Sequence, residues 1–246
     1  MSLSLITPDW PAPARVRAIS TTRLGGVSPA PWAALNLGGK VGDDPARVAE
    51  NRRRVMATLP AEPVWLDQVH GTDVWREGSD SRCADAAVTR RTGQVCAVMT
   101  ADCLPVLFAD RAGQVVAAAH AGWRGLCAGV LERTLQAMEV SPGEVLAWLG
   151  PAIGPEHFEV GPEVRAAFVE QDAQAALAFR PGQGDRLMAD IFKLARQRLL
   201  AAGLPVSGIY GGGVCTVAAP ERFFSYRRDG VTGRMASLVW LDHSGV

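Results

Sequence analysis

Four histidines and five cysteines are the imidazoles and thiols this 246-residue chain can offer a metal or a reaction. Three of them stand out. His70 lies in LDQVHGTDV, Cys103 in TADCLPV and His120 in AAAHAGWRG. Each sits where a short apolar run meets a turn or a glycine, the kind of corner where active sites are commonly built. If the three met in space, two imidazoles and a thiolate would suit Zn²⁺. They would leave its fourth tetrahedral position to water or substrate, as in a catalytic site. A water so bound has its pKa lowered to about 7 and serves as a nucleophile. Copper is the alternative metal, because His₂Cys also occurs in blue-copper centres with a weak axial Met; Met99 lies close to Cys103 in sequence. The plainer reading stays open beside both. The separations match no compact zinc signature, a buried Cys is usually a small hydrophobe, and a His at a strand end is more often hydrogen-bonded. His157, in the loop GPAIGPEHFEVGP, and His243, near the C-terminus, read as surface residues.

Around the trio stand groups suited to an anionic or polar substrate. Arg23 is in TTRLGG, Arg124 in GWRG, and Arg227 with Arg228 in SYRRDG. A guanidinium beside a glycine-rich turn can clamp phosphate through two parallel hydrogen bonds; an arginine on an exposed turn can equally be solvated or paired with an acid. Asp67 and Asp102 adjoin the candidate ligands and could orient an imidazole or carry a proton. Asp102 could also be a turn or cap residue.

The elements that must position these residues are readable in outline. Residues 15–22 suit a strand, and Asp43-Asp44-Pro45 begins a helix with an Asp cap and Pro at its first position. The apolar runs 95–100, 104–110 and 114–120 read as buried strands, with Asp110-Arg111-Ala112-Gly113 as a hairpin turn. After His120 the period becomes helical through Cys127, Val130, Leu131, Leu135 and Met138, until Ser141-Pro142-Gly143. A strand over 144–150, helices around 163–178 and 188–202, and strand-like runs in RFFSYRR and GRMASLVWL complete the pattern. Strands and helices in this order indicate an α/β (α+β) sandwich with mixed, largely antiparallel sheets flanked by helices. With no repeat or low-complexity linker, residues 1–246 read as one domain.

Composition removes some partner classes. Lys+Arg and Asp+Glu each number 25, so no basic field exists to attract nucleic acid or an acidic membrane. No apolar run approaches the ~18–20 residues that span a bilayer. The N-terminal segment lacks the features of a signal peptide, and five cysteines without a C-x-x-C pair suit reduced thiols, so a cytoplasmic protein is expected.

Taken together, STTRLGGVS with ALNLG, GDDP with ENR, LDQVHGTDV, TADCLPVLFAD, AAAHAGWRG, LGPAIGPEHFEVGPEV and FFSYRRDGVTGRMASLVWL resemble the YfiH-type laccase domain family, also called multicopper polyphenol oxidase-like proteins. The likeness runs over residues 15–241. It implies the family's own α/β sandwich and a metal held by His70, Cys103 and His120. It also implies pocket roles for Arg23, Asn36 and Arg227, with Tyr226 standing where relatives can carry His. The activity it implies is purine nucleoside phosphorylase, with adenosine deaminase and methylthioadenosine phosphorylase alongside. The partners are then a small purine nucleoside and phosphate. Asp102 would shuttle a proton in deamination, and Arg124 would join the arginines around phosphate. Other readings are a peptidoglycan-precursor editing amidase, the copper-dependent polyphenol oxidase of the family label, and a non-catalytic zinc module. Four histidines cannot build the several copper centres an oxidase of that kind needs. A closed structural site would need a fourth ligand that the sequence does not supply. Oligomeric state is not readable.

Overall fold

The computed structural model describes residues 2–243. In chain order, β1 (Leu5–Ile6) and β2 (Val16–Thr21) precede α1 (Pro45–Met56), and β3 (Val74–Trp75), β4 (Ala86–Thr89) and β5 (Val95–Thr100) follow. Next come β6 (Leu104–Asp110), β7 (Val116–Ala121), α2 (Trp123–Ala128), α3 (Val130–Met138), β8 (Val145–Leu149) and β9 (Glu159–Val160). The remainder is α4 (Pro162–Gln171), β10 (Phe179–Pro181), β11 (Leu187–Ala189), α5 (Ile191–Ala201), β12 (Ile209–Gly211), α6 (Tyr226–Asp229) and β13 (Met235–Leu241). Among the described residues no helix is long and apolar enough to cross a membrane.

A four-stranded sheet ordered β1-β2-β13-β5 packs on a six-stranded sheet ordered β12-β8-β6-β7-β4-β3; a small third sheet is β10-β11-β9. Pairing is antiparallel except for β12 with β8 and β3 with β4. The central strands β5, β6, β7, β8 and β13 are buried at nearly every position and mostly apolar, because both of their faces are covered. Along β6, Leu107 and Ala109 enter the layer between the large sheets, while Val106 and Phe108 face the helices. Along β5, Cys96 and Val98 face that same inter-sheet layer, and Val95 and Ala97 face outward onto Leu35, Leu37 and Val55 of the opposite covering layer. The alanines of β7 let its neighbours approach closely on both sides.

Several expected elements take a different form. The helical stretch after His120 is two helices, broken where Gly129 adopts φ +101°, a conformation that only glycine enters readily. The helix expected over 163–178 ends at Gln171, and a 3₁₀ turn covers Ala173–Ala178. The helix expected from 188 starts at Ile191, capped by Asp190, because residues 187–189 are taken into β11. RFFSYRR is not a strand. Phe223 and Phe224 are fully buried against Ala101 and Met235, and Ser225 caps the four-residue α6. The hairpin expected at 110–113 joins β6 to β7 in register, with Pro105 opposite His120.

Candidate metal centre

His120 is the penultimate residue of β7, Cys103 immediately precedes β6, and His70 lies in the loop before β3. The β6–β7 pairing therefore brings Cys103 and His120 to one end of the large sheet. The donor atoms of His70, Cys103 and His120 all lie within 4.8 Å of one another. His70 Nε2 is 3.7 Å from Cys103 Sγ, and the two imidazoles meet edge to face with centroids 4.8 Å apart. The group grades from buried His120 through half-buried Cys103 to exposed His70, so it opens to solvent on one side.

Asp85, just ahead of β4, holds two members of the trio. Its carboxylate accepts from backbone N–H groups of Val69 (3.1 Å), His70 (2.9 Å) and Gly71 (2.7 Å), and Oδ1 also lies 2.8 Å from His120 Nδ1. Its backbone carbonyl accepts from His120 N–H at 2.7 Å. Those bonds keep His70 at φ +61°, a backbone region that a side chain with a Cβ enters at a cost. They also leave Nε2 of His120 as the free ring nitrogen. The glycines after His120 have a steric reason. A Cβ on Gly122 would stand 2.7 Å from His70 Cδ2 and 3.1 Å from Cys103 Sγ, and one on Gly125 would stand 2.8 Å from the Gly71 carbonyl.

Asp102 has φ +89°. Its carboxylate accepts from the Thr216 hydroxyl (2.6 Å), the Ser225 hydroxyl (3.0 Å) and Arg227 N–H (2.7 Å), and its carbonyl accepts from Ile153 N–H at 2.9 Å. The residue before Cys103 is thus tied to three separate loops.

Burial pushes the Cys103 thiol up, but the neighbouring His120 charge, with hydrogen bonds from His120 and His70, outweighs it and brings the thiol down to about 6. Burial lowers His120, yet the Cys103 thiolate and Asp85 hold its imidazolium up to about 9. Burial raises Asp85, and its bonds to His120 and the backbone bring it below its ordinary value. Without a metal these shifts favour a Cys103 thiolate beside a His120 imidazolium, with the Asp85 carboxylate behind them.

The trio forms part of the wall of a cavity of about 760 Å³, whose other walls include Gly38, Gly39, Lys40, Arg52, Trp65, Asp67, Gln68, Met99, Tyr226 and Arg234. Residues 17–242 match the family model described as multi-copper polyphenol oxidoreductase laccase. The chain belongs to this laccase-domain family. It is 58% identical over 242 residues to a protein of Escherichia coli (strain K12) named purine nucleoside phosphorylase YfiH, covering 96% of this chain and 98% of that one. A Haemophilus influenzae protein named purine nucleoside phosphorylase is 46% identical over 246 residues, covering 98% and 100%. Among solved structures, a Neisseria meningitidis protein of the DUF152 family superposes with TM-score 0.92 at 51% identity, covering 97% of this chain and 99% of that one. YlmD from Geobacillus stearothermophilus gives TM-score 0.87 at 33% identity, covering 94% and 93%.

The chemistry of the donor set in this laccase-domain chain suits a tetrahedral ion, and one donor pair already stands at the separation such an ion needs. Zn–S and Zn–N bonds of about 2.3 and 2.05 Å at a tetrahedral angle put sulfur and nitrogen about 3.6 Å apart, against 3.7 Å for Cys103 Sγ and His70 Nε2. Cys103 is already biased to thiolate, and Asp85 is the outer partner that metal-bound histidines usually have.

The other expected site residues stand elsewhere. Arg23 donates Nε to the Ala33 carbonyl (2.7 Å) and Nη1 to the Pro220 carbonyl (2.8 Å) over the Phe224 ring. Arg124 is exposed and lies over Trp123. Arg227 donates Nη1 to the Glu159 carbonyl at 2.9 Å and lines a separate open groove with His157 and Arg180. Asn36 is fully buried and makes only internal hydrogen bonds. None of the four lines the cavity. Asp67 does, and pairs with Lys40 at 2.5 Å. His157 contacts Cys215 at 3.5 Å, and His243 is exposed.

Asp85, Gln68 and Arg234 are not singled out by the sequence, and the run Arg52-Arg53-Arg54 reads as a solvated helix face, whereas Arg52 is half-buried in the cavity wall. Gln68 fixes the loop ahead of His70 by donating Nε2 to the Met99 carbonyl (2.8 Å) and accepting Met99 N–H (2.7 Å). A signal existed for Arg52, which stands in the ENR motif of α1. Arg234 likewise stands in the quoted segment FFSYRRDGVTGRMASLVWL, whereas Asp85 carried no signal beyond being a polar residue beside an apolar strand.

Proposed function

We propose that this protein is a metal-dependent purine nucleoside phosphorylase working in the cavity beside His70, Cys103 and His120. The observation that carries the reading is an open two-histidine, one-cysteine group on the wall of a cavity large enough for a nucleoside. The naming of its relatives as purine nucleoside phosphorylases supports it. In the reaction a phosphate oxygen bonds to ribose C1′ as the C1′–N9 bond breaks. The bonding pair leaves with the purine, and the proton of hydrogen phosphate ends on a purine nitrogen, giving ribose 1-phosphate and free base. His70, Cys103 and His120 would hold the metal, with zinc preferred to copper, and the ion would supply Lewis-acid polarisation at its open position. Asp85 keeps the His120 imidazole oriented, and Trp65, Met99 and Tyr226 give the heterocycle apolar surface. We extend the reading to adenosine deamination and methylthioadenosine phosphorolysis, which the family resemblance implies. We place the protein in the cytoplasm on its five unpaired thiols.

The copper-oxidase reading lacks ligands. Among the described residues the trio is the one cluster of three metal-capable side chains, and His157 and His243 lie outside it. The test is metal analysis of the purified protein with assays on inosine, adenosine, methylthioadenosine and a muropeptide. Hypoxanthine and ribose 1-phosphate should form from inosine, and His70→Ala or Cys103→Ala should abolish them. Amide hydrolysis without nucleoside turnover would sink the proposal in favour of the editing amidase.

A further inference from the structure

Arg52 and Arg234 enter the cavity from different parts of the chain, and neither has a carboxylate within 4.0 Å among the described residues. Arg52, on α1, donates Nε to the Leu37 carbonyl at 3.0 Å, lies 4.4 Å from the Trp65 ring centroid, and otherwise meets only the Met99 sulfur. Arg234, just ahead of β13, donates Nη1 to the Thr232 and Gly233 carbonyls. No protein acceptor among the described residues meets its Nε or Nη2. Burial lowers the pKa of both guanidinium groups from the ordinary arginine value. A desolvated cation is normally paired, because leaving it unpaired is costly. Two such groups share one cavity here, and the one carboxylate in its lining, Asp67, is already taken by Lys40.

The two arginines are also held in advance. Consecutive glycines lie against them: a Cβ on Gly38 would stand 2.7 Å from Arg234 Cγ, and one on Gly39 would stand 4.0 Å from Arg52 Nη2. Asn36 Oδ1 accepts from Gly38 N–H and Arg234 N–H, both at 2.9 Å, so one buried amide ties the glycine turn to the second arginine. Asn51, next to Arg52 on α1, donates Nδ2 to the Asn36 carbonyl at 2.9 Å and anchors the first arginine to the same frame.

We infer that Arg52 and Arg234 form an oxyanion subsite of the metal cavity and bind the inorganic phosphate co-substrate, with Asn36 and Asn51 as positioning residues. The inference rests on the phosphorolysis reading for the identity of the anion. A planar guanidinium directs parallel N–H groups at two oxygens of a tetrahedral anion, and an electropositive cavity wall draws phosphate toward the metal side. Arg23, Arg124 and Arg227, the arginines beside glycine-rich turns, stand outside the lining of this cavity.

The test uses the full-length metal-loaded protein and inorganic phosphate as the probe. Phosphate binding is measured by calorimetry without nucleoside, and KM is measured separately for phosphate and inosine. Arg52→Gln and Arg234→Gln should each weaken phosphate binding and raise the phosphate KM about tenfold or more, with the inosine KM changed less than about threefold. Arg17→Gln, on the far strand β2, is the control and should change neither. If Arg234→Gln does not fold, Arg234→Lys keeps the charge without the fork, and its phosphate KM should still rise. Unchanged phosphate binding in the arginine variants, or an inosine KM rising in step with that of phosphate, overturns the subsite. Arginine-dependent phosphate binding in a protein that does not split inosine would keep the subsite and sink the phosphorolysis reading instead.

Discussion

Asp85 Oδ1 lies 2.8 Å from His120 Nδ1, and the same carboxylate gathers the backbone N–H groups of residues 69–71. One side chain therefore orients a buried histidine on a strand and an exposed histidine on a loop. Asp85→Asn would turn an amide N–H₂ toward donors it cannot satisfy. Metal affinity should fall about 10–100-fold, read by competition with a chromophoric chelator, and the fold should lose about 1–3 kcal/mol for the unsatisfied groups. Affinity within twofold of wild type would remove Asp85 from the metal centre.

Gly122 gives a sharper steric test. Its φ of −63° is open to alanine, so the backbone accepts Gly122→Ala without strain. The added methyl, however, would sit 2.7 Å from His70 Cδ2. The expected outcome is a folded protein with near-normal thermal stability whose metal affinity and inosine turnover drop at least tenfold, because His70 must swing away. A variant with full metal content and activity would mean that the close approach is not needed.

The central strands were legible because each is a short, mostly apolar run, and the hairpin at 110–113 because its turn residues lie between two such runs. The metal trio was visible as residue types at turns, but its convergence was not, since long loops place His70 beside a sheet corner that no periodicity encodes. RFFSYRR reads as a strand by composition. Its actual form depends on Asp102, more than a hundred residues earlier, drawing Ser225 and Arg227 into a capped turn. The placement of the arginines was hidden for a similar reason. A glycine-rich turn beside Arg23 or Arg227 suggested anion binding, whereas backbone carbonyls from remote segments occupy both.

The apo site should show an unusual dependence on pH. His120, raised to about 9, stabilises the fold fully below its ordinary value of 6.5 and loses that contribution as pH rises through about 9. Cys103, lowered to about 6, stabilises fully above its ordinary value of 9.0 and loses that contribution as pH falls through about 6. Across the shared window the two slopes oppose each other. Urea unfolding of the metal-free protein should therefore vary by no more than about 1 kcal/mol between roughly pH 6.5 and 9 from this pair. In Cys103→Ser the imidazole loses its thiolate neighbour, so the His120 pKa should fall when followed by NMR. A His120 titration unmoved by that substitution would separate the two groups.

Asp102 decides between positioning and proton transfer. Its three accepted hydrogen bonds and φ of +89° make it the clasp that presents Cys103 from the start of β6. Asn tolerates positive φ but cannot accept all three bonds through one carbonyl oxygen. Asp102→Asn should then cost about 1–3 kcal/mol in chemical denaturation and weaken metal binding, while the pH–rate profile of the remaining activity keeps its shape. A group that carries a proton in the reaction behaves differently, since its loss removes a limb of that profile and lowers kcat without unfolding the protein. Unchanged stability with a missing limb would restore Asp102 as the acid; a destabilised, metal-poor variant with both limbs intact makes it a support for Cys103.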